Sequence, residues 1–267
     1  MTRSDARIFS VLTAVLLAVG GFVGVQMWRA PRRAKAAAAA AVDSAALAAD
    51  AAGNTLSSVR KSSLPPPPPP DYAATSRLLV DARGATYMDA ILAARDGNVA
   101  RWVERRRDPV TVWIQPTSTL KDFWPDFRDR TRDAFYTWAA SGVPMRFLFI
   151  DDSSKAEVHV VWVDRFDDSA AGKTFWARDR YWWIVGADIQ IAVHRPTGEP
   201  YDQQMIRTIA LHEVGHLIGL DHSPNPDDIM APKVHVTMLS AADLRTAALI
   251  YKLPPGPVAK PQAPPAP

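Results

Sequence analysis

His212-Glu213-Val214-Gly215-His216-Leu217-Ile218-Gly219-Leu220-Asp221-His222 is the stretch that decides how this chain folds. Two histidines four apart fall on one face of a helix, one turn from each other. Both imidazoles then reach a single ion at roughly 2.0–2.1 Å. Glu213 follows the first of them and points to the same side, within reach of a proton on a water at the metal. Gly219 accepts a positive φ, so the chain can leave the helix in a sharp turn. That turn returns His222 as a third ligand. Three protein ligands leave a fourth position open for water, which marks a catalytic rather than a structural zinc. The short form H-E-x-x-H arises by chance in large sequence sets, but G-x-x-H fixes two more positions. Three of the chain's six histidines fall in this register. The expectation is one catalytic Zn²⁺ held by His212, His216 and His222, with Glu213 as general base.

Working outward, residues 203–217 read as the helix that carries the first two histidines. Upstream, Val110-Thr111-Val112-Trp113-Ile114 is a strand by its β-branched and aromatic content. Phe127, Thr131, Ala134, Phe135 and Trp138 recur at helical spacing, so 126–140 is an amphipathic helix. Strands follow at 145–150, at 157–163 (Val158, Val160 and Trp162 on one side) and at 186–193 (Ala187, Ile189 and Ile191 on one side). Residues 164–180 read as a loop. A last helix spans 241–251 with Ser240 as N-cap. The order suits an α+β fold, a mixed twisted sheet with an active-site helix and a C-terminal helix packed against it.

Several further features resemble the matrixin branch of the metzincins, the catalytic domains of matrix metalloproteinases. Ala134-Phe135-Tyr136-Thr137-Trp138, running on to Pro144-Met145-Arg146-Phe147, is similar to that family's first helix and following strand. Ser223 follows the third histidine, as is typical there. Met230, in Asp228-Ile229-Met230-Ala231-Pro232, fits the Met-turn, whose methionine lies beneath the zinc. Leu239 to Leu244, ending at Ile250-Tyr251, resembles the family's last helix. The resemblance covers roughly 110–253. It implies a substrate mode in which an extended peptide adds antiparallel to a sheet edge at 186–193. It also implies that 232–236, with Pro232, Val234 and His235, lines the pocket for the side chain after the scissile bond.

The chain departs from that pattern in places. It has no cysteine, so a cysteine-based latency switch is impossible. Loop 164–180 lacks a histidine pattern for a structural zinc, and no second zinc is expected. Asp164, Asp167 and Asp168 could bind Ca²⁺, though a solvated acidic loop is the favoured reading. Ala242 replaces the first of two adjacent acids, which puts in doubt a salt bridge from a freed N-terminus. Val234 stands where a tyrosine is usual. His159 and His194 read as surface or half-buried side chains. Trp162, Trp176, Trp182 and Trp183 read as packing rather than a carbohydrate platform.

The remaining chain divides by composition. Residues 8–28 are an uncharged apolar run of about transmembrane length, flanked by Arg3, Arg7, Arg29, Arg32, Arg33 and Lys35. Residues 1–35 are therefore a signal anchor, with a cleaved signal peptide as the alternative. Their basic residues weigh on the C-terminal side, against the export that a hydrolase anchor suggests. The expected placement is membrane-anchored with an extracytoplasmic catalytic domain, or secreted after cleavage. Residues 36–75 form an Ala/Pro-rich linker that includes six consecutive prolines, a stiff rod. Residues 76–108 read as a helical pre-segment, 109–254 as the catalytic domain and 255–267 as a disordered Pro/Ala-rich tail. The net charge of +3 comes from the N-terminal arm, since 96–254 hold 19 basic and 22 acidic side chains. That distribution gives no nucleic-acid footprint. The expected protein is a monomeric zinc endopeptidase acting on proteins or peptides. Two rivals are a tethered binding or regulatory module without turnover, and a zinc hydrolase of cell-wall peptide amides.

Overall fold

Alternating burial along the strands builds the sheet, and the computed structural model describes it over residues 57–260. The apolar run 8–28 and the alanine-rich stretch lie outside the described residues. Among the described residues no helix is long and apolar enough to cross a membrane. In chain order the elements are β1 (Ser57–Val59), α1 (Tyr72–Asp81), α2 (Met88–Ala94), β2 (Asn98–Val99), β3 (Arg105–Ile114), α3 (Asp126–Ala140) and β4 (Met145–Phe149). They continue with β5 (Val158–Val163), β6 (Gly172–Arg178), β7 (Ile184–Ala192), α4 (Gln203–Leu217), α5 (Ala241–Ile250) and β8 (Gly256–Pro257).

Six strands form one sheet in the order β1-β6-β7-β5-β3-β4. All neighbours run parallel except β6 and β7, which are antiparallel. Val110, Val112 and Ile114 on β3, and Val158, Val160 and Trp162 on β5, turn one face inward and are buried. Helices α3 and α4 pack together beneath the sheet. Phe127, Ala134, Phe135 and Trp138 of α3 join the core there, and α4 is buried from Thr208 to Leu217. The mixed sheet with the histidine-bearing helix α4 and a C-terminal helix is the α+β arrangement expected.

Four expectations fail for physical reasons. Strand 186–193 is not an edge: β7 (Ile184–Ala192) sits between β5 and β6 and is paired on both sides. Beyond it lies β6, inside the stretch read as a loop, with β1 paired to its far side only from Trp176 to Arg178. Gly172 and Lys173 interrupt its apolar alternation, and only Thr174 and Trp176 to Ala177 turn inward to be buried. Residues 76–107 are not continuously helical. Gly84 and Gly97, both at positive φ, break the chain into α1, α2 and the short β2. The C-terminal tail is ordered at its start, because β8 pairs with β2 and Val258 is buried.

The pre-segment also belongs to the core. Tyr87, Met88, Ile91, Val99, Ala100 and Trp102 are all buried within it. Even the proline run is held at its first residue, where Trp183 Nε1 donates to the Pro65 carbonyl at 3.1 Å.

Candidate metal centre

Helix α4 begins at Asp202, whose side chain accepts from the Met205 amide at 2.7 Å. It ends in a Schellman turn: Gly219 N donates to His216 O and Leu220 N to Gly215 O, both at 3.0 Å. Gly219 has φ +105°, and a Cβ there would lie 2.5 Å from the Ala100 carbonyl oxygen. Both the left-handed backbone and the close approach require glycine. The turn carries His222 back toward His212 and His216.

The three imidazoles converge. Their candidate ligand atoms all lie within 4.8 Å of one another, and ring centroids are 4.7, 4.9 and 5.4 Å apart. The outer nitrogens define the tautomers. His212 Nδ1 lies 2.8 Å from the Ile229 carbonyl and His216 Nδ1 3.2 Å from the Leu220 carbonyl. A carbonyl can only accept, so each Nδ1 carries the proton and each Nε2 presents a lone pair. The two Nε2 atoms face each other at 3.1 Å. Two lone pairs at that distance repel unless a cation lies between them. A tetrahedral zinc with bonds of roughly 2.0–2.1 Å would set them about 3.3 Å apart. The donor set therefore fits zinc. Burial lowers the His212 pKa to about 4, with the His222 charge a smaller contribution, and lowers His216 well below 6.5. Both rings are thus held in the neutral form that a metal needs.

Glu213 is buried beside them against β6. Thr174 Oγ1 lies 2.7 Å from Glu213 Oε2. A Cβ on Gly172 would come within 2.5 Å of Oε1, so this glycine leaves the space that the carboxylate fills. Met230 is fully buried under α4, with its sulfur against Gly215, where any side chain would collide with it. The turn bearing Met230 is held at both ends. Ser223 N donates to Met230 O at 2.8 Å, and the buried Asp243 accepts from Ile229 N at 2.9 Å. The same Asp243 carboxylate closes a capping box with Ser240 and accepts from the Tyr87 hydroxyl at 3.1 Å. From the other side, Trp138 Nε1 donates to Leu211 O at 2.8 Å.

The structure brings His212, His216 and His222 together, buries Glu213 against Thr174 and sets the Met230 sulfur against Gly215. Pro232 and His235 are exposed, and Val234 is half-buried, on the loop just beyond Met230. The acidic loop is engaged internally: Asp168 pairs with Lys173 at 2.8 Å and Asp164 with His194 at 2.9 Å. His194, read as a surface or half-buried group, is buried between Asp164 and Asp122. His159 bridges Ser153 O and Asp188. Trp162, Trp176 and Trp183 are buried, and Trp182 stacks under Arg178 at 3.7 Å.

Residues that sequence reading missed are Gly172, Thr174, Gly215, Asp243 and Arg95. The first two lie on the unread strand, and Arg95 lies in the pre-segment. Gly215, inside H-E-x-x-H itself, was the one with a visible signal: a glycine in a helix interior costs stability unless something needs its space.

No curated protein matches the chain. Residues 101–252, more than half of its length, match the family model described as Matrixin. Together with the histidine triad and the methionine turn, that match places the chain in the matrixin family of metallopeptidases.

Proposed function

We propose that this matrixin is a zinc-dependent endopeptidase in which Glu213 is the general base. The observation that carries the reading is the pair of buried imidazoles whose Nε2 atoms face each other at 3.1 Å, with a buried carboxylate on the next residue after His212. Bound zinc would be held by Nε2 of His212 and His216 and by His222, and it supplies the Lewis acidity that polarises a peptide carbonyl and acidifies water. Glu213 takes the proton from the attacking water and passes it to the leaving amine. Thr174 holds Oε2 through its hydroxyl and so fixes the carboxylate in place.

The peptide would add along β6 rather than β7. Gly172 to Thr174 run past Glu213, so this edge sets an extended chain across the carboxylate. Further along, β1 pairs with Trp176 to Arg178 of the same edge. Extended substrates would compete with β1 for those positions.

Glu213→Gln keeps the shape and the Thr174 contact but removes the base. Hydrolysis of a mixed peptide library should fall by roughly 10²–10⁴-fold while zinc stays bound. Hydrolysis at the wild-type rate would remove Glu213 from the mechanism. A wild-type protein that binds zinc and peptide without turnover would instead support a binding module.

A further inference from the structure

We propose that Arg95 is a positioning residue for the third histidine, setting the turn that delivers His222. The inference rests on the reading that the three imidazoles hold zinc.

Between the end of α4 and His222 the chain has three residues after its C-cap, and Arg95 contacts each of them. Its Nη1 donates to the Gly219 carbonyl at 2.9 Å and its Nη2 to the Leu220 carbonyl at 3.1 Å. Its Nε lies 3.4 Å from Asp221 Oδ2. A rigid planar fork suits this arrangement, because one group fixes three consecutive points of a turn. The contacts continue to the ligands themselves. The other oxygen of Asp221 accepts from the His222 backbone amide at 2.8 Å. The Leu220 carbonyl that Arg95 holds is also the acceptor for His216 Nδ1. Groups that hydrogen-bond a metal-binding imidazole from behind set its orientation and its basicity.

The guanidinium is buried, and the chain invests several partners to keep it there. A buried charge persists only where its hydrogen bonds and an opposite charge compensate for lost water. Besides Asp221 and the two carbonyls, the Trp176 ring lies 5.3 Å from Cζ. Trp176 belongs to β6, the strand that packs Gly172 and Thr174 on Glu213. One side chain thus links the end of α2, the turn before His222 and the strand beside the base.

Arg95 lies outside the family-matched region of 101–252. Neighbouring contacts follow the same route: Trp102 Nε1 donates to the Leu217 carbonyl at 2.9 Å, and Ala100 O abuts Gly219. The pre-segment accordingly acts as part of the metal site's support.

The test compares wild type, Arg95→Gln and Arg95→Lys in the full chain. Zinc affinity is read by chelator competition, ligand geometry by the visible absorption of the Co²⁺ form, and turnover as separate kcat and KM. Arg95→Gln should weaken zinc binding by roughly 10–100-fold, alter the cobalt band and lower kcat more than KM. Arg95→Lys, which keeps the charge beside Asp221 but not the fork, should recover part of the affinity. In a His222→Ala background the Arg95→Gln change should weaken zinc by less than it does in wild type, because only the path through Leu220 and His216 remains. If Arg95→Gln does not fold, the Arg95→Lys comparison with wild type reads the same quantities. Variants that are merely less heat-stable, with zinc affinity and cobalt spectrum unchanged, would make Arg95 an ordinary structural ion pair. Wild-type protein that binds no zinc would overturn the metal reading itself, before any variant is compared.

Discussion

Replacing Gly219 by alanine adds one methyl group and tests how tightly the turn before His222 is built. The backbone there has φ +105°, where an L side chain costs roughly 1–2 kcal/mol. The new Cβ would also lie 2.5 Å from the carbonyl oxygen of the buried Ala100, a backbone atom that cannot rotate away. Relieving such an overlap costs about 1–3 kcal/mol. The combined loss is about 2–5 kcal/mol, which lowers Tm by about 4–20 °C in a domain of this size. Gly84→Ala is the control: its φ is +75°, yet nothing lies within 4 Å of the added Cβ. It should carry the backbone cost alone. Thermal unfolding of the zinc-free proteins by circular dichroism reads both. Equal Tm shifts for the two variants would refute the argument that Ala100 and Gly219 are locked together. A larger shift for Gly219→Ala, with weaker zinc binding, is the expected result.

Acid should destabilise the zinc-free protein. The His212 pKa falls from 6.5 in the unfolded chain to about 4 in the fold, so between these values the unfolded state binds more protons. The contribution is intact above pH 6.5 and is lost as pH falls toward 4, by roughly 3 kcal/mol. Urea midpoints that do not change between pH 7.5 and 4.5 would contradict this. Thr174→Val removes the hydroxyl on Glu213 Oε2. Loss of a hydrogen bond to a charged group predicts kcat/KM lower by about 10–100-fold; unchanged kinetics with normal zinc content would show that the contact is idle. Arg60→Pro deletes the amide that donates to the Arg178 carbonyl at 2.8 Å and so loosens β1 from β6. Long peptides should then bind roughly 2–10-fold more tightly, as read from KM, whereas an unchanged KM would mean that β1 and substrate do not share the edge.

The metal site was legible because its spacing is local. His212, His216 and Gly219 belong to one helix and its cap, and that register places the helix at 203–217. Ser240 could be read as an N-cap for the same reason. What the sequence hid was non-local. Strand β6 has too little apolar alternation to declare itself, with Gly172 and Lys173 at one end and Arg178 at the other. Its glycine is dictated by Glu213, a residue far along the chain. With β6 unread, nothing in the sequence contradicts the edge position that the resemblance implies for 186–193. Arg95 carries no mark in the sequence, since an arginine after a short helix is ordinarily solvated. Only the fold shows that it meets Gly219, Leu220 and Asp221.

The central claim is that one zinc ion is gripped by three imidazoles with Glu213 alongside. Anomalous diffraction at the zinc edge, from crystals grown with zinc supplied, tests it directly. One strong peak per chain within about 2.0–2.1 Å of Nε2 of both His212 and His216, and bonded to His222, is the predicted result. Ordered density for the three rings with no zinc among them would contradict it.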